Sequence, residues 1–257
     1  MDYNYHTHTF RCSHATGSEE EYIKTAIDGG VKFMGFSDHA PFKFDDGYEA
    51  LYRVPMDKAQ DYFNVIGALR EKYKDKINIK IGFEMEYYPT HFAKMLENVL
   101  NLGAEYLILG QHFVNEEYPY GTPSSAASSY EELKDYVSSV VSGIESGYFS
   151  YVAHPDIIAF NGNEDLYTKE MRKICVASSK HGIPLEINFL GIRANRTYPK
   201  QTFWEIAAQE KSPVTFGFDA HDVESAYDIK SYEKAMAMVN DLGLNYIGMS
   251  KIIDIRK

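Results

Sequence analysis

Short apolar runs alternate with amphipathic segments from one end of the chain to the other. The runs are Tyr3–His6, Val31–Ser37, Ile77–Phe83, Tyr106–Leu109, Tyr151–Ala153, Leu185–Ile187 and Val214–Phe218, and each reads as a strand. Ser18 with Glu21, and Ser129 with Glu132, are capping boxes that open helices. The first helix carries Tyr22, Ile23, Ala26 and Ile27 and is stopped by Gly29-Gly30. The second carries Leu133, Tyr136, Val137, Val140, Val141 and Ile144. Phe92, Met95, Leu96, Val99 and Leu100 recur at helical spacing. Further helices are expected over Lys58–Tyr73, near Lys169–Lys180 before Gly182, near Gln201–Gln209, and from Tyr232 to Leu242 before Gly243. A last short run, Tyr246–Met249, follows. About seven β-α units with short connections predict an α/β protein with a parallel sheet, open or closed, in a single domain over 1–257. Three connections are long: Ala40–Met56, rich in aromatics and carrying Arg53; Phe113–Ser128; and Phe189–Pro199, carrying Arg193 and Arg196. Long loops in a compact domain are usually functional or mobile.

Composition narrows the function without naming it. At 257 residues and 29.3 kDa the chain suits one large α/β domain better than two medium ones. An apolar content of 44% and a charged content of 25% exclude the disordered and fibrous classes. The net charge of -11 argues against a partner that is a nucleic-acid polymer or an anionic membrane. The N-terminus, MDYNYHTHTF, lacks a basic region followed by an apolar stretch, so no secretory signal is expected. No apolar run reaches the roughly 18–20 residues that cross a bilayer. The expected compartment is the cytoplasm. Cys12 and Cys175 are too few for a disulfide scaffold or a thiolate zinc cluster.

The histidines change the picture. His6 and His8 end the first predicted strand and His14 follows it. His39, His112, His154 and His221 stand at the ends of the second, fourth, fifth and seventh. Only His91 and His181, at a helix start and a helix end, fall elsewhere. Independent core histidines have no reason to share one end of five strands. In parallel α/β barrels that end carries the active site. His6 and His8, two apart on a strand end, point the same way and can share one ion. Glu84, at the end of the third strand, is central enough to bridge two ions, and Asp219 ends the seventh. His6, His8, His14, His39, Glu84, His112, His154, Asp219 and His221 are too many donors for one ion. They suit two or three divalent transition metals such as Zn, Fe or Mn.

In order along the chain, His6-x-His8, His14, Ser37-Asp38-His39-Ala40, Gly82-x-Glu84, Gly110-Gln111-His112, Ala153-His154-Pro155-Asp156 and Asp219-Ala220-His221 resemble the motifs of the PHP (polymerase and histidinol phosphatase) superfamily. Gly191-Ile192-Arg193 followed by Tyr198-Pro199 is similar to the Gly-Leu-Arg…Tyr-Pro stretch of stand-alone PHP-type histidinol-phosphatases. The resemblance implies a distorted (β/α)7 TIM-like barrel with a three-metal cleft. It implies His6, His8, Glu84 and Asp219 around a first ion, Glu84, His112 and His154 around a second, and His14, His39 and His221 around a third. The segment Thr9–His14 departs from many relatives, with Ser13 in place of Pro and an Arg at position 11.

The activity so implied is hydrolysis of L-histidinol phosphate to L-histidinol and phosphate, a step of histidine biosynthesis, by attack of a metal-bridging hydroxide. Glu84, Asp219, His221 and Arg193 are the expected catalytic set. Arg193 is the expected bidentate phosphate clamp, with Arg196 and Arg11 as second choices and His39 also facing substrate. The leaving oxygen would take its proton from a water, His221, His39 or Asp219. Tyr48, Tyr52, Phe42 and Phe44 are expected to form a hydrophobic lid or interface. Two other readings stand beside this one. One is a PHP phosphoesterase on another small ester, a nucleotide or phosphotyrosine. The other is a metal-binding module without activity. The oligomeric state is not legible.

Overall fold

In the computed structural model, which describes residues 1–256, each predicted apolar run is a strand of one parallel sheet. The strands are β1 (Tyr3–Asn4), β2 (Phe33–His39), β3 (Asn78–Met85), β4 (Leu107–Leu109), β5 (Phe149–Val152), β6 (Leu185–Asn188), β7 (Pro213–Gly217) and β8 (Asn245–Tyr246). They lie side by side in sequence order. The sheet curls until its first strand meets its seventh. Just past β1, His8 N donates to Ala220 O at 3.0 Å and Ala220 N to His6 O at 3.3 Å. At the opposite end of β7, β8 pairs with Pro213 and Val214. There Tyr3 Oη lies 3.2 Å from Thr215 Oγ1 and 3.1 Å from Tyr246 Oη. Where seven strands were implied, an eighth short one is therefore added on β7 away from the closed seam, and the barrel is distorted there.

Helices α1 (Glu19–Asp28), α2 (Ala59–Tyr73), α3 (Phe92–Leu102), α4 (Tyr130–Ser146), α5 (Glu164–His181), α7 (Gln201–Gln209) and α8 (Ile229–Leu242) follow the predicted stripes. Both capping boxes form: Ser18 N donates to Glu21 Oε2 and Ser129 N to Glu132 Oε2, each at 2.8 Å. Helix α5 starts earlier than expected because Asn163 caps it, accepting from Leu166 N at 3.0 Å. A short helix, α6 (Phe189–Arg193), was not foreseen. Five residues show no period, and its signal is the Asn188 cap on Gly191 N. No helix among the described residues is long and apolar enough to cross a membrane.

Apolar burial divides into two parts. Outward-facing strand residues such as Leu107 and Leu109 pack under the helices. Inward-facing Tyr3, Tyr5, Tyr106, Ile108 and Tyr151 form a separate cluster. Tyr106 Oη donates to Tyr5 O at 2.9 Å and to Phe36 O at 3.2 Å. Gly35 and Gly82 give this ring its room, since a Cβ on either would overlap Tyr106. A tyrosine floor thus fills the barrel interior, as side chains do in other closed parallel barrels.

Candidate active site

The strands deliver their C-terminal residues to one cleft of about 510 Å³. The register of β2 on β3 sets His39 beside Glu84. His154 and Asp219, at the ends of β5 and β7, hold positive φ angles of 31° and 47°. That backbone region is disfavoured for side-chain-bearing residues and is found at functional sites.

Glu84, 1% exposed, sits at the centre. Its Oε2 lies 3.5 Å from His6 Nε2 and 3.4 Å from His8 Nε2. Asp219 Oδ1 lies 3.6 Å and 3.3 Å from the same two nitrogens. Ligands about 2.0–2.1 Å from a tetrahedral ion stand roughly 3.4 Å apart, so these four atoms fit one ion. Glu84 Oε1 faces the other way, 2.8 Å from His154 Nε2 and 3.3 Å from His112 Nε2. His14, His39 and His221 make a third group with converging ring nitrogens. It touches the first group through His39 Nδ1, 3.3 Å from Glu84 Oε2, and His221 Nδ1, 3.2 Å from Asp219 Oδ1.

Several of these atoms are buried without a hydrogen-bond partner: His6 Nε2, His8 Nε2, His39 Nδ1, both Glu84 oxygens and Asp219 Oδ1. Buried carboxylate oxygens without donors are costly, and cations are the groups that satisfy them. The electrostatics agree. Burial opposes charge on His6, but Glu186, Asp219 and Glu84 outweigh it and raise the imidazole to about 10. Burial opposes charge on His112 too, and Glu84 and Glu86 raise it to about 10. Burial would neutralise Asp219 and Glu84, yet the facing imidazoles hold both carboxyls well below their usual range. The donor set fits two or three divalent ions.

Behind the nine donors stands a layer that we did not anticipate from sequence. Glu186 Oε2 takes His6 Nδ1 at 2.9 Å and is braced through Oε1 by Asn188 Nδ2 at 2.7 Å. Glu86 Oε1 takes His112 Nδ1 at 2.8 Å. Asp38 Oδ1 lies 3.5 Å from His8 Nδ1, and Asp38 Oδ2 accepts from Thr9 N at 3.1 Å. Such partners decide which imidazole nitrogen faces a metal. Period two was the available signal: Glu84 and Glu86, and Glu186 and Asn188, are two apart on strand-forming stretches.

Two of the three arginines lie away from the cleft. Arg193, expected on the phosphate, donates to Phe218 O at 2.6 Å and Asp219 O at 2.5 Å and lies 3.7 Å from Asp228 Oδ2. It is directed at the end of β7 by the unforeseen α6, and braces Asp219 from behind. Arg11 is buried between Glu19 and Asp61, so it too is corrected as a substrate residue. Arg196 lines the cleft, donates to Tyr198 Oη at 3.1 Å, and has no ion pair among the described residues. His39 and His221 also line it. Of the expected lid, Tyr52 stands edge-on to His39 at 5.3 Å. Phe42 and Phe44 are buried around His91, and Tyr48 stacks on Tyr118 at 4.3 Å.

Gly110 shows how tightly Glu84 is held. A Cβ there would overlap Glu84 Oε1. Gly110→Ala is therefore expected to displace the carboxylate and cut activity by about 10²-fold, a misplacement effect. A chain that keeps its circular dichroism and wild-type rate would refute the packing argument.

A parallel barrel with clustered imidazoles and carboxylates at its C-terminal mouth defines a class, that of barrels built to hold several metal ions beside a substrate cleft. Within that class, residues 4–189 match the PHP domain, and the chain belongs to the PHP domain family. Asp219 and His221 lie beyond the matched span. The chain is 28% identical over 225 residues to the probable histidinol-phosphatase of Deinococcus radiodurans, covering 84% of this chain and 85% of that one. It is 25% identical over 260 residues to the histidinol-phosphatase of Bacillus subtilis, covering 87% and 96%. Its fold superposes with a TM-score of 0.73 on the histidinol phosphate phosphatase of Lactococcus lactis, solved with zinc, L-histidinol and phosphate. That match covers 100% of this chain and 98% of the other at 18% identity.

Proposed function

We propose that the chain is a metal-dependent phosphomonoesterase that hydrolyses L-histidinol phosphate to L-histidinol and phosphate. The observation that carries this is the central Glu84, with one oxygen on each of two donor groups at the base of a cleft that also holds Arg196. The names of the relatives supply the substrate. His6, His8, Glu84 and Asp219 would hold one ion, Glu84, His112 and His154 a second, and His14, His39 and His221 a third. When bound, divalent ions of the Zn, Fe or Mn kind lower the pKa of coordinated water and offset negative charge on phosphoryl oxygens.

The chain's own residues supply the rest. Arg196 takes over the phosphate-clamp role expected of Arg193, with two donors for phosphoryl oxygens. Tyr52, Phe113, Ile157 and Leu190 line the same cleft and give the alcohol moiety an apolar, aromatic wall that excludes water. Glu186 and Glu86 keep His6 and His112 aimed inward. The cleft of about 510 Å³ suits a small ester rather than a polymer. The same proposal places the enzyme in the cytoplasm, with neither a nucleic acid nor a membrane as partner.

The test is a substrate panel with metal quantified on the same sample. L-histidinol phosphate is expected to exceed phosphotyrosine and nucleotides in kcat/KM by about 100-fold or more. Equal values would leave a phosphoesterase of other specificity. Arg196→Ala is expected to raise KM about 10- to 100-fold, the effect of losing hydrogen bonds to a charged group, with a smaller change in kcat. An unchanged KM would remove Arg196 from the substrate.

A further inference from the structure

The connections that leave β2, β3 and β4 meet at one buried side chain. Arg53, 1% exposed, lies between β2 and α2. Its NH1 donates to Ala40 O at 2.9 Å and its NH2 to Glu86 Oε2 at 2.6 Å. Its Nε donates to Glu117 at 3.1 and 3.2 Å, and NH2 reaches the same carboxylate. The two carboxylates lead in different directions. Glu86 Oε1 takes His112 Nδ1 at 2.8 Å, and His112 Nε2 lies 3.3 Å from Glu84 Oε1. Glu117 accepts from Tyr52 Oη, and from Tyr88 Oη at 3.2 Å. Tyr52 forms the cleft wall, stacked on Phe113 at 5.9 Å and edge-on to His39 at 5.3 Å.

A buried ion triad is a weak source of stability, because well-packed apolar residues often serve as well or better. This one also leaves two carboxylates against a single guanidinium. On the reading that Glu84, His112 and His154 hold an ion, we propose that Arg53 is a positioning residue for both the second metal site and the substrate wall. Through Glu86 it fixes the His112 ring, and through Glu117 it fixes Tyr52. Metal affinity and substrate affinity are thereby coupled through one guanidinium that touches neither ligand.

Arg53→Lys keeps the charge but cannot span Ala40 O, Glu86 and Glu117 together. In the metal-free full-length chain, stepwise zinc titration by calorimetry is expected to show one ion weakened about 10- to 100-fold, the usual cost of losing an orienting partner, and the remaining ions unchanged. At saturating zinc, kcat should recover while KM for L-histidinol phosphate stays raised. A lowered Tm with wild-type zinc affinities and wild-type KM would overturn the proposal and leave Arg53 merely structural. Should the lysine variant not fold, Glu117→Gln keeps the acceptor shape and removes its charge. A raised KM then supports the coupling, and unchanged KM and zinc affinity overturn it. A wild-type chain that binds fewer than two zinc ions refutes the underlying metal assignment, and with it the proposal, before any variant is compared.

Discussion

Glu84→Gln is expected to lower kcat/KM by about 10³-fold or more, beyond the roughly 10²–10³-fold cost of deleting a single transition-state donor. Both oxygens of Glu84 are committed. Oε2 faces His6 and His8 at 3.5 and 3.4 Å, and Oε1 faces His154 and His112 at 2.8 and 3.3 Å. An amide has one acceptor oxygen and one NH2. Whichever way it turns, one donor group receives N–H bonds where it needs a lone pair, and the bridging charge is gone. The two side chains are nearly isosteric, so the fold should survive. The facing imidazoles lose their counter-charge in the metal-free variant, so some loss of Tm is expected there. The measurement is metal content by elemental analysis together with steady-state rate. Full activity with two ions retained would show that Glu84 does not bridge.

Exhaustive chelation is expected to abolish activity and to lower Tm by on the order of 10 °C. A ligand present at about a thousand times its dissociation constant stabilises the folded chain by about 4 kcal/mol. In chains of this size each kcal/mol moves Tm by roughly 2–4 °C. The chain should remain folded without metal, because its core and tyrosine floor do not include the ligands. Protonated His6 and His112 also partly substitute for the missing charge. Differential scanning calorimetry before and after chelation reads the shift, and re-addition of zinc or manganese should restore both Tm and rate. A Tm unchanged within a degree or two would mean that the buried oxygens are satisfied some other way.

Much of this architecture is legible in the sequence because strands and histidines are in phase. A parallel strand shows as a short apolar run, and a residue just past it must lie at the mouth of the sheet. That placed His39, Glu84, His112, His154 and Asp219 without any contact information. Arginine direction was not legible. Arg193 and Arg196 are three residues apart, but the first ends the five-residue α6 and turns behind β7, while the second follows it and meets the cleft. A helix too short to show a period cannot be oriented from its pattern. The last run, Tyr246–Met249, was marked but not counted as an eighth strand for a related reason: two paired residues do not distinguish a strand from a turn. Asp38, Glu86 and Glu186 were visible as acids, but an acid near a strand end is ordinarily a loop charge. Only the imidazole beside each one gives it a role.

The seam where the sheet closes runs through the first donor group. His6 and His8 lie on one side of it and Asp219 on the other, joined by the backbone bonds between His8 and Ala220. Most of the chain is made between those two sides. During synthesis, Glu84, His112 and His154 can meet once β5 has emerged, whereas His6 and His8 can meet Asp219 only once β7 has. An ion held at the seam would act as a clasp that fastens the first-made edge to the last.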